Sequence, residues 1–364
     1  MKSVYLNAYT NKNLGDDLFL YVISKRYKNP FYVISKYGYY KSDFSHNLYI
    51  IHNPIKMLLN KIFRKMQINV FDLRNRYLNS SDVCINIGGS IFMEDNNIDM
   101  WKNNINRYMK KRDGNTYVIG SNIGPFTDES FIKLLENELF TDCRDVCLRD
   151  RYSYGLVEKL KNVRYSPDII FGLKEYCDIN LNEDIEEKIA LISVINMKKR
   201  KKICSQEFYE QMLIELIIKL INNGYKIKLM SFCKYENDEK TIKNLITKLK
   251  DYKDRISCYY YNGKIEEALK EIAKCNIIFG SRFHANILGL VFNKTIIPMI
   301  YSDKTLNLLK DINFEGSVID LRNIENINFD NLKLGYKLNV EQLEKSSSGH
   351  FKKLDDILEL KTLC

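Results

Sequence analysis

The sequence predicts an α/β protein built from two Rossmann-like domains whose mostly parallel sheets face a central cleft. Three observations predict it. Short apolar runs of strand length alternate with helix-length segments from Ser3 to Leu321, as in parallel sheets wound with helices. Glycines and small polar residues follow several strand ends, at the edge where open α/β sheets bind ligands. The chain, at 364 residues, is long for one domain, and Lys174 to Glu187 is charged and poorly periodic. That segment separates residues 1–176 from a second domain at 187–335, and 336–364 forms a C-terminal helical segment.

In the first half, Ser3–Tyr9 reads as a strand. Asn11-Lys12-Asn13-Leu14-Gly15-Asp16-Asp17 is a turn into an apolar helix, LFLYVISKRY. Gly15 permits the turn, and Asp16 or Asp17 caps the helix. Beyond capping, either carboxylate is a candidate to hydrogen-bond a polyhydroxyl ligand or take its proton. Phe31–Ser35 is a second strand. Pro54 opens a helix with Ile55, Leu58, Leu59, Ile62, Phe63 and Met66 on one face and Lys56, Lys61, Arg64 and Lys65 largely off it. Such a helix either packs on its own core or rests on an anionic membrane surface. Strand Asp82–Asn86 leads into Gly88-Gly89-Ser90, and Thr116–Ile119 into Gly120 to Pro125; neither is a GxGxxG dinucleotide fingerprint. Val146–Leu148 ends in Arg149-Asp150, ahead of a helix from about Arg151. Arg149 at that edge is either a ligand contact or a structural ion pair.

The second half runs strand Ile189–Ile195, basic loop Lys198–Lys202, helix Gln206–Asn222 closed by Gly224, and strand Tyr225–Ser231. Helix Lys240–Lys250, strand Ile256–Tyr261 and helix Lys264–Lys274 follow. The basic loop is either solvated or a contact for phosphate or membrane. Next comes the most informative stretch: strand Cys275–Phe279, a turn at Gly280, the N-cap Ser281, and an apolar helix Phe283–Phe292. Its cations, Arg282 and His284, sit in the first turn, where the helix dipole is already positive. Unpaired, they would cost a few tenths to about 1 kcal/mol. An anion bound there reverses the sign, with backbone N–H groups, Arg282 and His284 all facing it. A nearby acid paired with Arg282 is the bland alternative. Strand Thr295–Tyr301 carries Pro298, which implies an edge or a bulge. The turn Tyr301-Ser302-Asp303-Lys304 lies beside that of Arg282 in a parallel sheet, so Arg282, His284 and Lys304 are expected to converge on one anion. Val318–Leu321 is a last strand, and Val340–Leu360 a helical pattern interrupted at Ser346–Gly349.

Composition narrows the function. There is no run of about 18 apolar residues, and the start lacks a signal-peptide core. The expected location is the cytoplasm, peripheral at the inner face of the membrane in the reading where the basic helix rests on lipid rather than on its own core. Nine cysteines lack CxxC pairs, and Cys84, Cys147, Cys258 and Cys275 lie in apolar runs, as buried free thiols do. Four histidines form no cluster, so no metal is expected. The net charge of +10 favours acidic partners: phosphates, acidic sugars or anionic lipid. No helix-turn-helix, zinc-finger or RNP-type motif supports nucleic acid.

Seven short motifs, in order, resemble the polysaccharide pyruvyl transferase family over about 300 residues: NxGDD at Asn13–Asp17, the Gly88-Gly89 turn, GxNxGP at Gly120–Pro125, RDxxS at Arg149–Ser153, SPD at Ser166–Asp168, RxH at Arg282 and His284, and YxxK at Tyr301–Lys304. The resemblance implies a GT-B-like fold and transfer of enolpyruvate from phosphoenolpyruvate to a sugar of a lipid-linked precursor, forming a pyruvate ketal in capsule or exopolysaccharide assembly. It implies catalytic roles for His284, Arg282, Asp16 and Asp17. Donor contacts fall to Arg149, Ser281, Tyr301 and Lys304 in the C-terminal half and at the Arg149 turn. Acceptor contacts fall to Asn13, Gly15, Gly88, Gly89 and Asn122 in the N-terminal, acceptor-side domain. No cofactor is required beyond phosphoenolpyruvate as co-substrate. Two departures are Gly-Gly-Ser where relatives often carry a third glycine, and the unusually basic Lys198–Lys202 loop. Two other functions fit the same residues: a GT-B glycosyltransferase using a nucleotide sugar, and a non-catalytic sugar-binding protein of a polysaccharide assembly complex.

Overall fold

A computed structural model describes residues 1–39, 44–55, 72–94, 98–111, 113–179, 187–323, 327 and 329–361. The chain forms two compact units, one of residues 1–11, 16–169 and 345–364, the other of residues 12–15 and 170–344. This differs from the expected division at both ends. The C-terminal segment returns to the first unit, where Arg26 Nη2 meets Asp355 Oδ2 at 2.7 Å and Ser166 Oγ donates to the Ser346 carbonyl at 2.7 Å. The loop at residues 12–15 belongs with the second unit, because Leu14 N–H donates to the Phe232 carbonyl at 3.0 Å and Asn13 bridges to Cys233.

The first sheet has seven parallel strands: β1 (Val4–Asn7), β2 (Phe31–Ile34), β3 (Leu48–Ile51), β4 (Val83–Ile87), β5 (Thr116–Ser121), β6 (Asp145–Leu148) and β7 (Val163–Tyr165). Their order is β3-β2-β1-β4-β5-β6-β7. The second sheet has six: β8 (Ile189–Val194), β9 (Lys226–Ser231), β10 (Ile256–Tyr260), β11 (Ile277–Gly280), β12 (Thr295–Ile300) and β13 (Ile319–Asp320), ordered β10-β9-β8-β11-β12-β13. Both therefore follow the Rossmann order 3-2-1-4-5-6, reversing between β1 and β4 and between β8 and β11. Central strands such as β4 and β12 are buried at every position, which explains their unbroken apolar runs. In the second unit the helix Gln206–Asn222 packs Leu213, Leu216, Ile217 and Leu220 into a core shared with Ile192, Leu229, Phe279 and Ile297.

Several expectations are corrected. β3 and β7 were not anticipated; both are short and flanked by polar residues, which blurs their periodicity. Pro298 lies on β12, an interior strand rather than an edge. β13 pairs only with Met299 and Ile300, so Pro298 precedes that ladder and its missing N–H is tolerated. Cys258 is exposed, since β10 is the outer strand. The C-terminal pattern is one short helix, Glu341–Ser347, followed by a 3-10 turn at Ser348–Phe351. Of the basic helix expected from Ile55 to Met66, all but Ile55 lies outside the described residues. Among the described residues no helix is long and apolar enough to cross a membrane.

Candidate functional site

The edge at the strand C-termini of the first unit holds a sealed network. Arg149, just beyond β6, donates from Nη1 to Asp168 Oδ2 at 2.9 Å and from Nη2 to Asn122 Oδ1 at 2.6 Å. The side chains of Arg149 and Asp168 are 2% and 1% exposed. Asn122 Oδ1 also accepts from Ser90 Oγ at 3.2 Å, and its Nδ2 donates to the Gly124 carbonyl at 3.3 Å. Gly89 lies against the Arg149 guanidinium, and a Cβ there would come within 2.6 Å of Nη1. Gly88 adopts φ +145°, and its carbonyl accepts from Ser121 Oγ at 2.7 Å. Asp150 caps the helix Arg151–Val157 by accepting from Ser153 N–H at 2.7 Å, while Ser153 Oγ accepts from Ile123 N–H at 2.8 Å. Behind them the buried His350 accepts the Gly120 N–H on Nδ1 at 3.2 Å. Burial lowers its pKa to about 3, so the ring is neutral with its proton on Nε2.

Of the residues expected as ligand contacts here, Arg149 donates to Asn122, Asn122 N–H donates to the Gly89 carbonyl at 2.9 Å, and the Gly88 carbonyl is taken by Ser121. Of the two readings offered for Arg149, the geometry is that of the structural ion pair. The helix at the NxGDD motif begins at Leu14, and Asn13 Oδ1 accepts the Gly15 N–H at 3.2 Å, so Asn13 rather than an aspartate serves its start. Asp17 is fully buried and accepts from the Tyr39 hydroxyl at 2.8 Å, whereas Asp16 is half-buried. The two aspartates are therefore not equivalent, and only Asp16 reaches solvent.

The corresponding edge of the second unit is built differently. Four neighbouring strands, β9, β8, β11 and β12, each deliver charged residues just beyond their C-terminal ends. Arg200 follows β8, Glu236 and Asp238 follow β9, Arg282 and His284 follow β11, and Tyr301 and Lys304 follow β12. Arg282 N–H donates to Ser193 Oγ at 2.9 Å, and Asn286 Nδ2 donates to the carbonyls of Gly280 at 3.0 Å and Arg282 at 3.3 Å, which fixes the turn. The N-cap of the helix Phe283–Val291 is Arg282 rather than Ser281. Ser281 is fully buried, its hydroxyl 2.9 Å from that of Tyr209.

Arg282 is not unpaired. Its Nε donates to Asp238 Oδ2 at 3.2 Å, its Nη2 to Asp238 Oδ1, and its Nη1 to Glu236 Oε2 at 2.8 Å. The bland alternative from the sequence describes its contacts: acids offset the helix-dipole penalty. Asp238 also accepts the N–H groups of Phe232 at 3.3 Å and Cys233 at 3.0 Å and is wholly buried. Glu236 is 21% exposed, and the same oxygen that meets Arg282 meets Arg200 Nη2 at 3.3 Å. Burial opposes the ionisation of Glu236, but Arg282 and Arg200 hold its carboxyl below the usual range. The Arg200 guanidinium lies 4.9 Å from the Tyr301 ring centroid. Burial likewise opposes ionisation of the Tyr301 phenol, yet Lys304, Arg200 and Arg282 together draw its pKa below the ordinary value. Around the Tyr301 phenol, the three cations thus outweigh Glu236.

His284 extends from the first turn of the same helix, its ring perpendicular to Phe283 at a centroid distance of 5.1 Å. Lys304 Nζ lies over the Phe283 ring, 5.9 Å from its centroid. Gly15 packs directly on the imidazole, with no room for a Cβ. Sequence reasoning missed Glu236 and Asp238, and offered Arg200 only as one residue of a basic loop that is either solvated or a contact for phosphate or membrane. A signal existed: they follow β9 and β8 at the same edge as Arg282, and a buried guanidinium requires a partner. Two cavities lie elsewhere. One of about 730 Å³ in the first unit is lined by helix residues including Asn75, Asn79, Asn103, Asn106, Arg107 and Tyr108. Another of about 410 Å³ in the second unit is lined by Lys174, Leu290, Asn293 and residues 337–341. Neither contains the RxH or YxxK residues.

Comparison with known proteins places this geometry. The curated relative AmsJ, an amylovoran biosynthesis protein of Erwinia amylovora, is 23% identical over 266 residues, which cover 68% of this chain and 63% of that protein. The chain therefore spans less than two thirds of that relative's length. Among solved structures, UDP-GlcNAc 2-epimerase of Methanocaldococcus jannaschii, complexed with UDP-GlcNAc and UDP, superposes with a TM-score of 0.52 at 12% identity, covering 97% of this chain and 99% of that one. MnaA of S. aureus, solved with UDP, gives 0.52 at 10% identity with 98% of each chain covered. At these identities the likeness is one of fold: two parallel-sheet α/β units of the GT-B kind. The family model for polysaccharide pyruvyl transferases matches residues 13–303, from the NxGDD motif to the YxxK turn, and the chain belongs to that family.

Proposed function

We propose that the protein transfers enolpyruvate from phosphoenolpyruvate to a sugar of a polysaccharide precursor, releasing phosphate and leaving a pyruvate ketal. The observation that carries this reading is the edge of the second unit, where Arg200, Arg282 and Lys304 gather around Tyr301 and acidify it. Phosphoenolpyruvate places a carboxylate and a phosphate close together, and guanidinium forks suit both.

In this scheme His284 delivers a proton to the methylene carbon, which leaves C2 cationic. A sugar hydroxyl attacks C2 and loses its proton, the C2–O bond to phosphate breaks, and a second hydroxyl closes the ring with loss of its proton. Asp16, the half-buried acid of its pair, is the candidate to orient or deprotonate the acceptor. Arg282, fixed by Asp238, and Lys304 stabilise the anionic donor and the departing phosphate. Membership of the family and the relation to an amylovoran biosynthesis protein support the class of reaction.

Incubation with phosphoenolpyruvate and candidate lipid-linked sugars, followed by mass spectrometry, tests the reading. A pyruvyl adduct should form with the wild type, and His284→Ala should lower its rate by about 100-fold while the fold is retained. Adduct formation at the wild-type rate by His284→Ala removes His284 from the chemistry. Thermal stabilisation by nucleotide sugars but not by phosphoenolpyruvate would instead favour glycosyl transfer.

A further inference from the structure

We propose that Arg200 is a second anion ligand of the donor site, and that Glu236 is an internal carboxylate holding the place of the donor's own anion. The inference rests on the reading that this edge binds a small dianion, and it adds residues that no motif marks.

Topology supports it first. In a sheet of order 3-2-1-4-5-6 the ligand crevice opens where the order reverses, here between β8 and β11. Arg200 comes from the segment after β8 and Arg282 from the turn after β11, so the two guanidinium groups flank that reversal. A single carboxylate oxygen, Glu236 Oε2, lies between them, 2.8 Å from Arg282 Nη1 and 3.3 Å from Arg200 Nη2.

The two acids at Arg282 then divide by function. Asp238 is inaccessible, binds Arg282 through both oxygens and accepts two backbone N–H groups, so it orients the guanidinium permanently. Glu236 ends a 3-10 turn, reaches solvent at 21% exposure, and its carboxylate meets only side chains among the described hydrogen bonds. It is the partner that an incoming carboxylate or phosphate oxygen can replace, because the replacement offers both guanidinium groups the same charge and the same acceptor geometry. Arg200 is anchored by Nη1 on the Asn196 carbonyl at 3.0 Å and stacked over Tyr301, so it stays in position when Glu236 leaves. A single negative charge gains little by exchanging with Glu236. A ligand with a further negative charge gains by also engaging Lys304. Glu236 thereby selects compact multivalent anions over chloride and simple carboxylates.

Calorimetric titration at constant pH and salt tests this, with inorganic phosphate and phosphoenolpyruvate as separate probes. Glu236→Gln, which keeps the shape but removes the charge, should bind both about tenfold or more tightly than the wild type. Arg200→Gln should bind both at least tenfold more weakly. Glu236→Asp, too short to bridge the two arginines, should behave like Glu236→Gln and guards against a folding defect in the first variant. Unchanged or weaker phosphate binding by both Glu236 variants overturns the proposal and makes Glu236 a plain structural counter-ion. Tighter phosphate binding by Glu236→Gln, with no phosphoenolpyruvate binding by any form, supports the guarded anion site while refuting phosphoenolpyruvate as donor.

Discussion

Two arginines each stand just beyond a strand's C-terminal end, Arg149 after β6 and Arg282 after β11, and they have opposite character. Arg149 is closed in by Asp168, Asn122 and the Gly89 backbone, and neither it nor its carboxylate partner touches solvent appreciably. Arg282 is also buried and doubly paired, but one of its partners is partly exposed, a second arginine shares that partner, and a lysine adds to the field. Both belong to short motifs that looked alike as ligand contacts. The difference lies in charge balance and in whether one partner can be exchanged. A matched, sealed pair holds a fold together, whereas an excess of cations with a replaceable anion binds something.

The largest expected effect separates these roles by stability. Asp168→Ala leaves the Arg149 guanidinium buried and unpaired, and should lower stability by about 3–5 kcal/mol in denaturant unfolding. Glu236→Gln, at a partly exposed partner, should cost about 1 kcal/mol or less. Equal losses would erase the distinction between staple and site.

A second effect belongs to the first unit alone. His350 is neutral in the fold with its pKa lowered to about 3, against about 6.5 when unfolded. The unfolded chain therefore binds the extra proton in between. The stability contributed is full above pH 6.5 and falls as pH drops through that window, by about 2 kcal/mol between pH 7 and pH 5. His350→Gln should flatten this slope in unfolding measured at the two pH values. An unchanged slope would assign the acid sensitivity to other groups.

The smallest effect concerns positioning. Gly15→Ala drives a methyl group into the His284 ring and should lower turnover by about tenfold, since a displaced catalytic group loses alignment. Substrate affinity should be little changed, because the three atoms nearest a Cβ at Gly15 all belong to the imidazole and none to Arg282 or Lys304. A turnover equal to wild type would show that the imidazole moves freely at that contact.

Much of this was legible in the residues. The helix Gln206–Asn222 and the turn Gly280–His284 stood out because apolar spacing, caps and a misplaced pair of cations are local signals. The convergence of the Arg282 and Lys304 turns followed from parallel topology alone. The partners of Arg282 were not legible, because Glu236 and Asp238 lie more than 40 residues away and only β9 beside β8 brings them there. Nor could local patterns tell Asp16 from Asp17. Their difference arises from the Tyr39 hydroxyl, supplied by a separate segment. Arg149 was ambiguous for the same reason, its carboxylate arriving from Asp168 beyond β7.

Calorimetric titration of the wild type and Arg282→Ala with phosphoenolpyruvate is the most direct test that the second unit's cationic edge is the donor site. Saturable binding by the wild type, lost in Arg282→Ala with the fold retained, is the predicted result. Equal binding by both proteins, or no binding by the wild type while a nucleotide sugar binds, would contradict it.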